Sequence, residues 1–144
     1  MTCPYQQICG GCPYRNLNLK DYQKLKTEQF EKVVQQLNQE NVKTGEPVFI
    51  ADGTRRRAEL AFKHNRGNLV LGFNESKSHE IINMDNCPLL TVKINSLIPH
   101  LRIFLREFCN IKVSEKLKNK KFRTYNVGSG DIWLTEAVNG VDVL

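Results

Sequence analysis

The stretch CPYQQICGGCPYRN, residues 3–16, places Cys3, Cys9 and Cys12 within ten positions around a pair of glycines, in a chain with only two further cysteines, Cys87 and Cys109. No other feature constrains the fold as strongly, because thiols this crowded need a common partner. Met1 stands almost directly before the cluster, without the basic start, apolar stretch and small-residue cleavage site of a secretory signal. The expected compartment is therefore cytoplasmic. There thiols stay reduced, and clustered cysteines serve as metal ligands or redox groups more often than as disulfides. Ordinary buried thiols are the plain alternative, and the crowding argues against it. Cys109, in REFCNIK, has no cysteine neighbour in sequence and reads as an apolar packing residue.

Two ligand sets fit a C-x5-C-x2-C loop with the remote Cys87 of MDNCPLL. A tetrahedral zinc site accepts four thiolates, usually as two C-x2-C knuckles, and only Cys9 and Cys12 form one. An iron-sulfur cluster also takes four cysteines, with backbone donors near its sulfides. Gly10 and Gly11 suit it, since a backbone without Cβ atoms approaches a cluster closely. Pro4, Pro13 and Pro88 follow three of the four candidates and stiffen the chain beside them. Either metal would tie the N-terminal loop to the end of the third strand and the start of the second helix. Loss of a ligand should then loosen the fold as well as the site.

With 144 residues, 40% hydrophobic and 25% charged, the chain has the size and composition of one soluble domain, 1–144. No apolar run approaches the roughly 18 to 20 residues of a membrane span. After the cysteine loop, 1–17, apolar residues at Tyr22, Leu25, Phe30, Val33, Val34 and Leu37 recur at spacings close to three and four, predicting an amphipathic helix over 18–38. From Pro47 the pattern changes to PVFIA, RRRAELAFK, LVLGF and SHEIINM, separated by short polar turns, which predicts an antiparallel meander over 47–84. Leu90, Ile94, Leu97, Ile98, Leu101, Phe104, Leu105 and Phe108 predict a helix over 88–109, broken or restarted at Pro99. FRTYNVGSGDIWLTEAVNG reads as a hairpin within 121–144, turning at Gly128 to Asp131. The fold class is thus α+β: an antiparallel sheet packed with two main helices, and a cysteine loop tied to the sheet by a metal, whether a zinc ion or a metal cluster.

The cysteine loop with its following YRNL run, the arginine-rich strand, the LGF strand and the C-P-hydrophobic helix start together resemble the iron-sulfur RNA uracil-5-methyltransferases, the RumA branch of the TrmA-like class. The resemblance covers nearly all of the chain. It implies that Cys3, Cys9, Cys12 and Cys87 hold a 4Fe-4S cluster, and that the partner is RNA, ribosomal RNA in particular. It also implies S-adenosylmethionine chemistry, but in a Rossmann-like domain that these residues do not match. VGSGDIW is a lone G-x-G in a hairpin context and lacks the strand-to-helix setting of a cofactor loop. Cys109 does not stand in the family's catalytic context. The chain therefore resembles the front, cluster-bearing part of such an enzyme.

An RNA partner gives meaning to the formal charge of +6 and the pI near 9.1. Side-chain alternation along 55–63 puts Arg56, Ala58, Leu60 and Phe62 on one face and Arg55, Arg57, Glu59, Ala61 and Lys63 on the other. Arg55, Arg57 and Lys63, extended by His64 and Arg66 in the turn, form the candidate RNA-binding strip. Phe73, Tyr14 and Tyr125 are candidate stacking surfaces, Phe73 being the better core residue. A second basic run, Lys112, Lys116, Lys118, Lys120, Lys121 and Arg123, is interrupted only by Glu115, and its plain reading is a solvated loop. Two other classes compete: a zinc-stabilised nucleic-acid-binding module without catalysis, and a ferredoxin-type electron carrier, against which the arginine strand argues. The sequence carries no signal of oligomeric state. These 144 residues alone are predicted to transfer no methyl group from S-adenosylmethionine to uridine, which a radiolabel-transfer assay on uridine-containing RNA checks.

Overall fold

A computed structural model describes residues 3–37, 42–116, 118 and 121–144. The fold is α+β. Helix α1 (Leu19–Gln36) starts at Asn18, whose side chain accepts from the Asp21 N–H at 2.9 Å, and Asp21 puts a negative charge in the first turn. Strands β1 (Arg57–Asn65) and β2 (Asn68–Gly72) form a hairpin, helix α2 (Val92–Phe108) follows, and then come β3 (Lys112–Lys116), β4 (Phe122–Asn126), β5 (Ser129–Glu136) and β6 (Val141–Val143). β2-β1-β5-β6 form one antiparallel sheet, and β3 and β4 form a separate two-stranded ribbon.

The β1–β2 turn explains its own sequence. Arg66 and Gly67 both have positive φ, at 49° and 83°, as a two-residue type I′ turn requires at both central positions. Along β1 the expected alternation holds: Ala58, Leu60 and Phe62 are buried while Arg57, Glu59 and Lys63 are exposed. These buried side chains join Leu69 and Leu71 of β2 and Ile132 and Leu134 of β5 under α2, which contributes Ile94, Ile98, Leu101 and Leu105. Each large aliphatic side chain among them adds roughly 1.5–3 kcal/mol when fully buried.

Several expectations need correction. α2 runs unbroken through Pro99, because Ile94 and Ile98 before it and Leu101 and Leu105 after it pack on the same sheet. PVFIA forms no strand: Val48 and Ile50 are 87% and 80% exposed, away from the core. The last hairpin is shifted. β4 pairs back with β3, whereas β5 leaves it to pair with β1 over Arg57↔Thr135 to Lys63↔Ser129, and then turns into β6. α1 buries none of its residues, and Phe30, Val33 and Leu37 are about half exposed despite their helical spacing. The expected polar end of that helix at Asn38 lies outside the described residues, as does Lys120.

SHEIINM makes no regular strand but still lies along β2. The Ile82 N–H donates to the Phe73 carbonyl at 2.9 Å and the Met84 N–H to the Leu71 carbonyl at 3.0 Å. This close passage depends on Gly72, where a Cβ would collide with the Ile82 carbonyl oxygen and meet the Met84 Cβ at 2.9 Å. Among the described residues no helix is long and apolar enough to cross a membrane. Gly72→Ala, which must displace backbone, is expected to destabilise by about 2 kcal/mol or more. Gly67→Ala has open space around it and costs only its positive φ, about 1–2 kcal/mol. Urea denaturation of the two variants checks the order.

Candidate metal centre and arginine pocket

The cysteine loop is a run of tight turns, closed by the Cys9 N–H donating to the Tyr5 carbonyl at 2.8 Å and the Arg15 N–H to the Cys12 carbonyl at 3.2 Å. It docks on the sheet through backbone. The Gly10 N–H donates to the Asn74 carbonyl at 3.1 Å, and the Ser76 N–H to the Ile8 carbonyl at 2.8 Å. The Asp85 N–H donates to the Tyr5 hydroxyl at 3.2 Å, and Arg15 forks onto Asp52 at 2.8 and 2.5 Å. The loop is thus fastened by hydrogen bonds from its own backbone and side chains.

Cys3, Cys9, Cys12 and Cys87 all line one cavity, together with Tyr5, Phe73, Met84 and Leu89, and Arg55 stands at its wall. Cys87 is buried and the three loop cysteines are half-buried. Burial pushes the Cys12 thiol up, and the other three cysteines add to the shift while Arg15 opposes it. Burial also raises Cys87, against the pull of the Leu89 and Leu90 backbone hydrogen bonds. The Gly11 N–H lies 3.4 Å from the Cys9 Sγ. Among the described residues no three His, Cys, Asp or Glu side chains are arranged to hold a single metal ion. The expected metal tie between loop and sheet is therefore not itself seen, and the contacts that join them are those described above. Cys109 is 1% exposed in the core, and burial raises its thiol.

Cys87 is held by a residue that spacing did not single out. The Asn95 amide, in the first turn of α2, accepts from the Cys87 N–H at 2.8 Å and donates to the Cys87 and Leu90 carbonyls at 3.0 and 3.1 Å. Further along α2, Arg102 donates to the Met84 carbonyl at 2.7 Å, the Leu71 carbonyl at 3.3 Å and the Asn83 side chain at 2.7 Å. An asparagine or arginine on a helix gives no periodic signal, so neither role was visible in the sequence.

The basic strip divides in two. Arg55 and Arg57 gather with Arg56, Thr135 and Glu136 around a second, open cavity. Arg56 donates to the Glu136 carbonyl at 2.9 Å, and Arg55 Nε to the Arg57 carbonyl at 3.2 Å. Lys63 lies about 20 Å further along β1, and Arg66 is in the turn beyond it. His64 alternates onto the opposite face from Lys63 and is half-buried. Arg55 also pairs with the segment just before α2, its N–H donating to the Leu89 carbonyl at 2.9 Å, and it lines both cavities.

No protein-family profile matches the chain. It is 31% identical over 114 residues, 76% of its length, to 26% of a 23S rRNA (uracil(1939)-C(5))-methyltransferase RlmD of Shewanella sediminis. It is 30% identical to the RlmD of Shewanella halifaxensis over 144 aligned positions, which cover 96% of the chain and 28% of that protein. An uncharacterized RNA methyltransferase of Mesorhizobium japonicum is 32% identical over 108 residues, 75% of the chain and 26% of the relative. The chain spans about a quarter of the length of these relatives.

Two outcomes follow from this geometry. Asn95→Ala strands the Cys87 N–H and should lower stability by about 1–3 kcal/mol, with faster alkylation of Cys87 read by mass spectrometry. The Arg15 guanidinium beside Asp52 holds that carboxyl below its usual range. A carboxyl lowered in the folded state stabilises above its unfolded value near 3.9 and loses that contribution as pH falls through the folded value. Asp52→Asn should therefore reduce stability above about pH 4, by at most about 1 kcal/mol at this exposed pair, and its denaturation curve should merge with the parent's in stronger acid.

Proposed function

This chain belongs to the RNA uracil-5-methyltransferase family, and on that premise we propose that it is the portion of such an enzyme that carries a 4Fe-4S cluster and binds RNA. In this reading Cys3, Cys9, Cys12 and Cys87 are the four ligands. The observation that carries it is that four thiols, three of them from one loop, line a single cavity otherwise walled mainly by apolar side chains. The backbone N–H groups of Leu89 and Leu90 at Cys87, and of Gly11 at Cys9, supply the donors that cluster sulfurs favour. Three of the four thiols come from one loop and the fourth is remote in sequence, a division common among iron-sulfur ligand sets.

The cluster's chemistry here would be a structural cross-link, since methyl transfer from S-adenosylmethionine to uridine needs no electron transfer. Arg55 and Arg57 offer guanidinium groups to phosphates or to unpaired bases of ribosomal RNA, the substrate named for the relatives. Arg55 couples the two sites, because it stands in the wall of the cysteine cavity and in that of the arginine pocket. S-adenosylmethionine and the catalytic groups belong, in this reading, to sequence outside the chain's 144 residues. The setting is cytoplasmic.

The test is anaerobic purification followed by iron, sulfide and zinc analysis and a visible spectrum. About four irons and about four sulfides per chain with a broad band near 400 nm are expected. One tightly held zinc in a colourless protein would replace the cluster with a structural zinc site.

A further inference from the structure

The net charge is not spread over the molecule. Residues 112–126 hold six of the 21 Lys and Arg and one of the 15 Asp and Glu, five of the six net positive charges, leaving the remaining residues nearly neutral. In the fold the described part of this segment makes the β3–β4 ribbon, which stands apart from the main sheet. All of β4 is exposed, and in β3 only Val113 is even half-buried. One end of the ribbon is held by Asn126, which donates to the Cys109 carbonyl at 3.0 Å.

The register sorts the ribbon into two unlike faces. Directly opposed residues share a face, so Lys112, Ser114, Lys116, Phe122, Thr124 and Asn126 lie together. The Ser114 and Thr124 hydroxyls are 3.1 Å apart on that face, and Phe122 beside Lys116 is 69% exposed. Glu115, the single acid of the two strands, stands on the other face, opposite Arg123. Arg123 in turn lies over the Tyr125 ring at 5.7 Å. One face thus has cations, hydroxyls and an exposed ring, with no acid among its described residues.

We propose that this ribbon is an RNA-gripping arm, separate from the arginine pocket, with Lys112, Lys116 and Lys118 on phosphates and Phe122 under a base. The proposal rests on the RNA-binding reading above. A lone two-stranded ribbon is marginally stable, and crowding like charges on it opposes its folding, so an anionic partner relieves a real cost. Lysines and hydroxyls contact phosphates, and an exposed ring stacks on an unpaired base whatever its identity. An acidic protein surface would satisfy the lysines and leave the ring unused.

The test titrates the full chain into a labelled RNA stem-loop with an unpaired uridine-rich loop, by fluorescence anisotropy over a range of salt concentrations. Three variants are compared: Lys112→Gln/Lys116→Gln/Lys118→Gln, the same three positions changed to Arg, and Arg55→Gln/Arg57→Gln. The glutamine triple should weaken binding at least about tenfold and flatten the plot of log affinity against log salt by about two, at roughly 0.7–0.9 for each phosphate no longer neutralised. The arginine triple should keep both. Should the glutamine triple misfold, Lys112→Gln alone should still flatten the slope by about 0.7. An unchanged affinity and slope in the lysine-to-glutamine variants overturns the arm. If the Arg55/Arg57 variant then still loses binding, the pocket reading stands alone. Loss confined to the lysine variants supports the arm and removes the pocket. A parent chain that ignores RNA, or binds polyglutamate equally well, overturns the arm's assignment to RNA.

Discussion

The cysteine cavity depends on a segment with no regular secondary structure, residues 82–90, whose backbone groups find partners one by one. Ile82 and Met84 donate to Phe73 and Leu71, Arg102 covers the Met84 carbonyl, Tyr5 accepts from Asp85, and Asn95 binds Cys87 at both its N–H and its carbonyl. The Leu89 carbonyl accepts from Arg55. A buried peptide group left unpaired costs about as much as a missing hydrogen bond, so an irregular segment persists only where such partners exist. Here they come from a sheet strand, a helix and the cysteine loop together. The segment that carries Cys87 is therefore held by three elements, and Cys87 itself by Asn95 of the helix that follows it.

That explains what could and could not be read from the residues. The cysteine loop, the β1–β2 hairpin and α2 are written in local spacing: a cluster, a turn between alternating strands, a stripe at period 3.6. Pairing across long separations is not. FRTYN and DIWLTE look like neighbours in a hairpin, yet β5 gains a long partner in β1 and the buried places of Ile132 and Leu134, while β4, among the described residues, pairs only with β3. The stripe on α1 misled in a different way, since periodicity marks an apolar face without saying whether anything covers it. Asn95 and Arg102 carry the least local signal of all, because their hydrogen bonds are to backbone made adjacent only by folding.

The two cavities share one residue, Arg55. Arg55 is fixed at its backbone by Leu89 and Thr91 and reaches with its side chain to the Arg57 carbonyl. One wall of the cysteine cavity is thus also the edge of the arginine pocket.

The pairing of β1 with two strands of very different sequence distance also sets an order in time. Asn65 meets Asn68 across a two-residue turn, whereas Lys63 meets Ser129 only after a loop of more than sixty residues has closed around α2 and the ribbon. Loop closure costs entropy before its contacts return any, and a hairpin forms in microseconds. During synthesis or refolding, β1 thus spends an interval with β2 on one edge and an open row of hydrogen-bonding groups on the other. In that interval the chain is a template for any other extended strand, including that of another copy of itself. Arg57, Glu59 and Lys63, the exposed charged residues of β1, all fall within the stretch that awaits β5. Charge of both signs there discourages the wrong strand until β5 arrives.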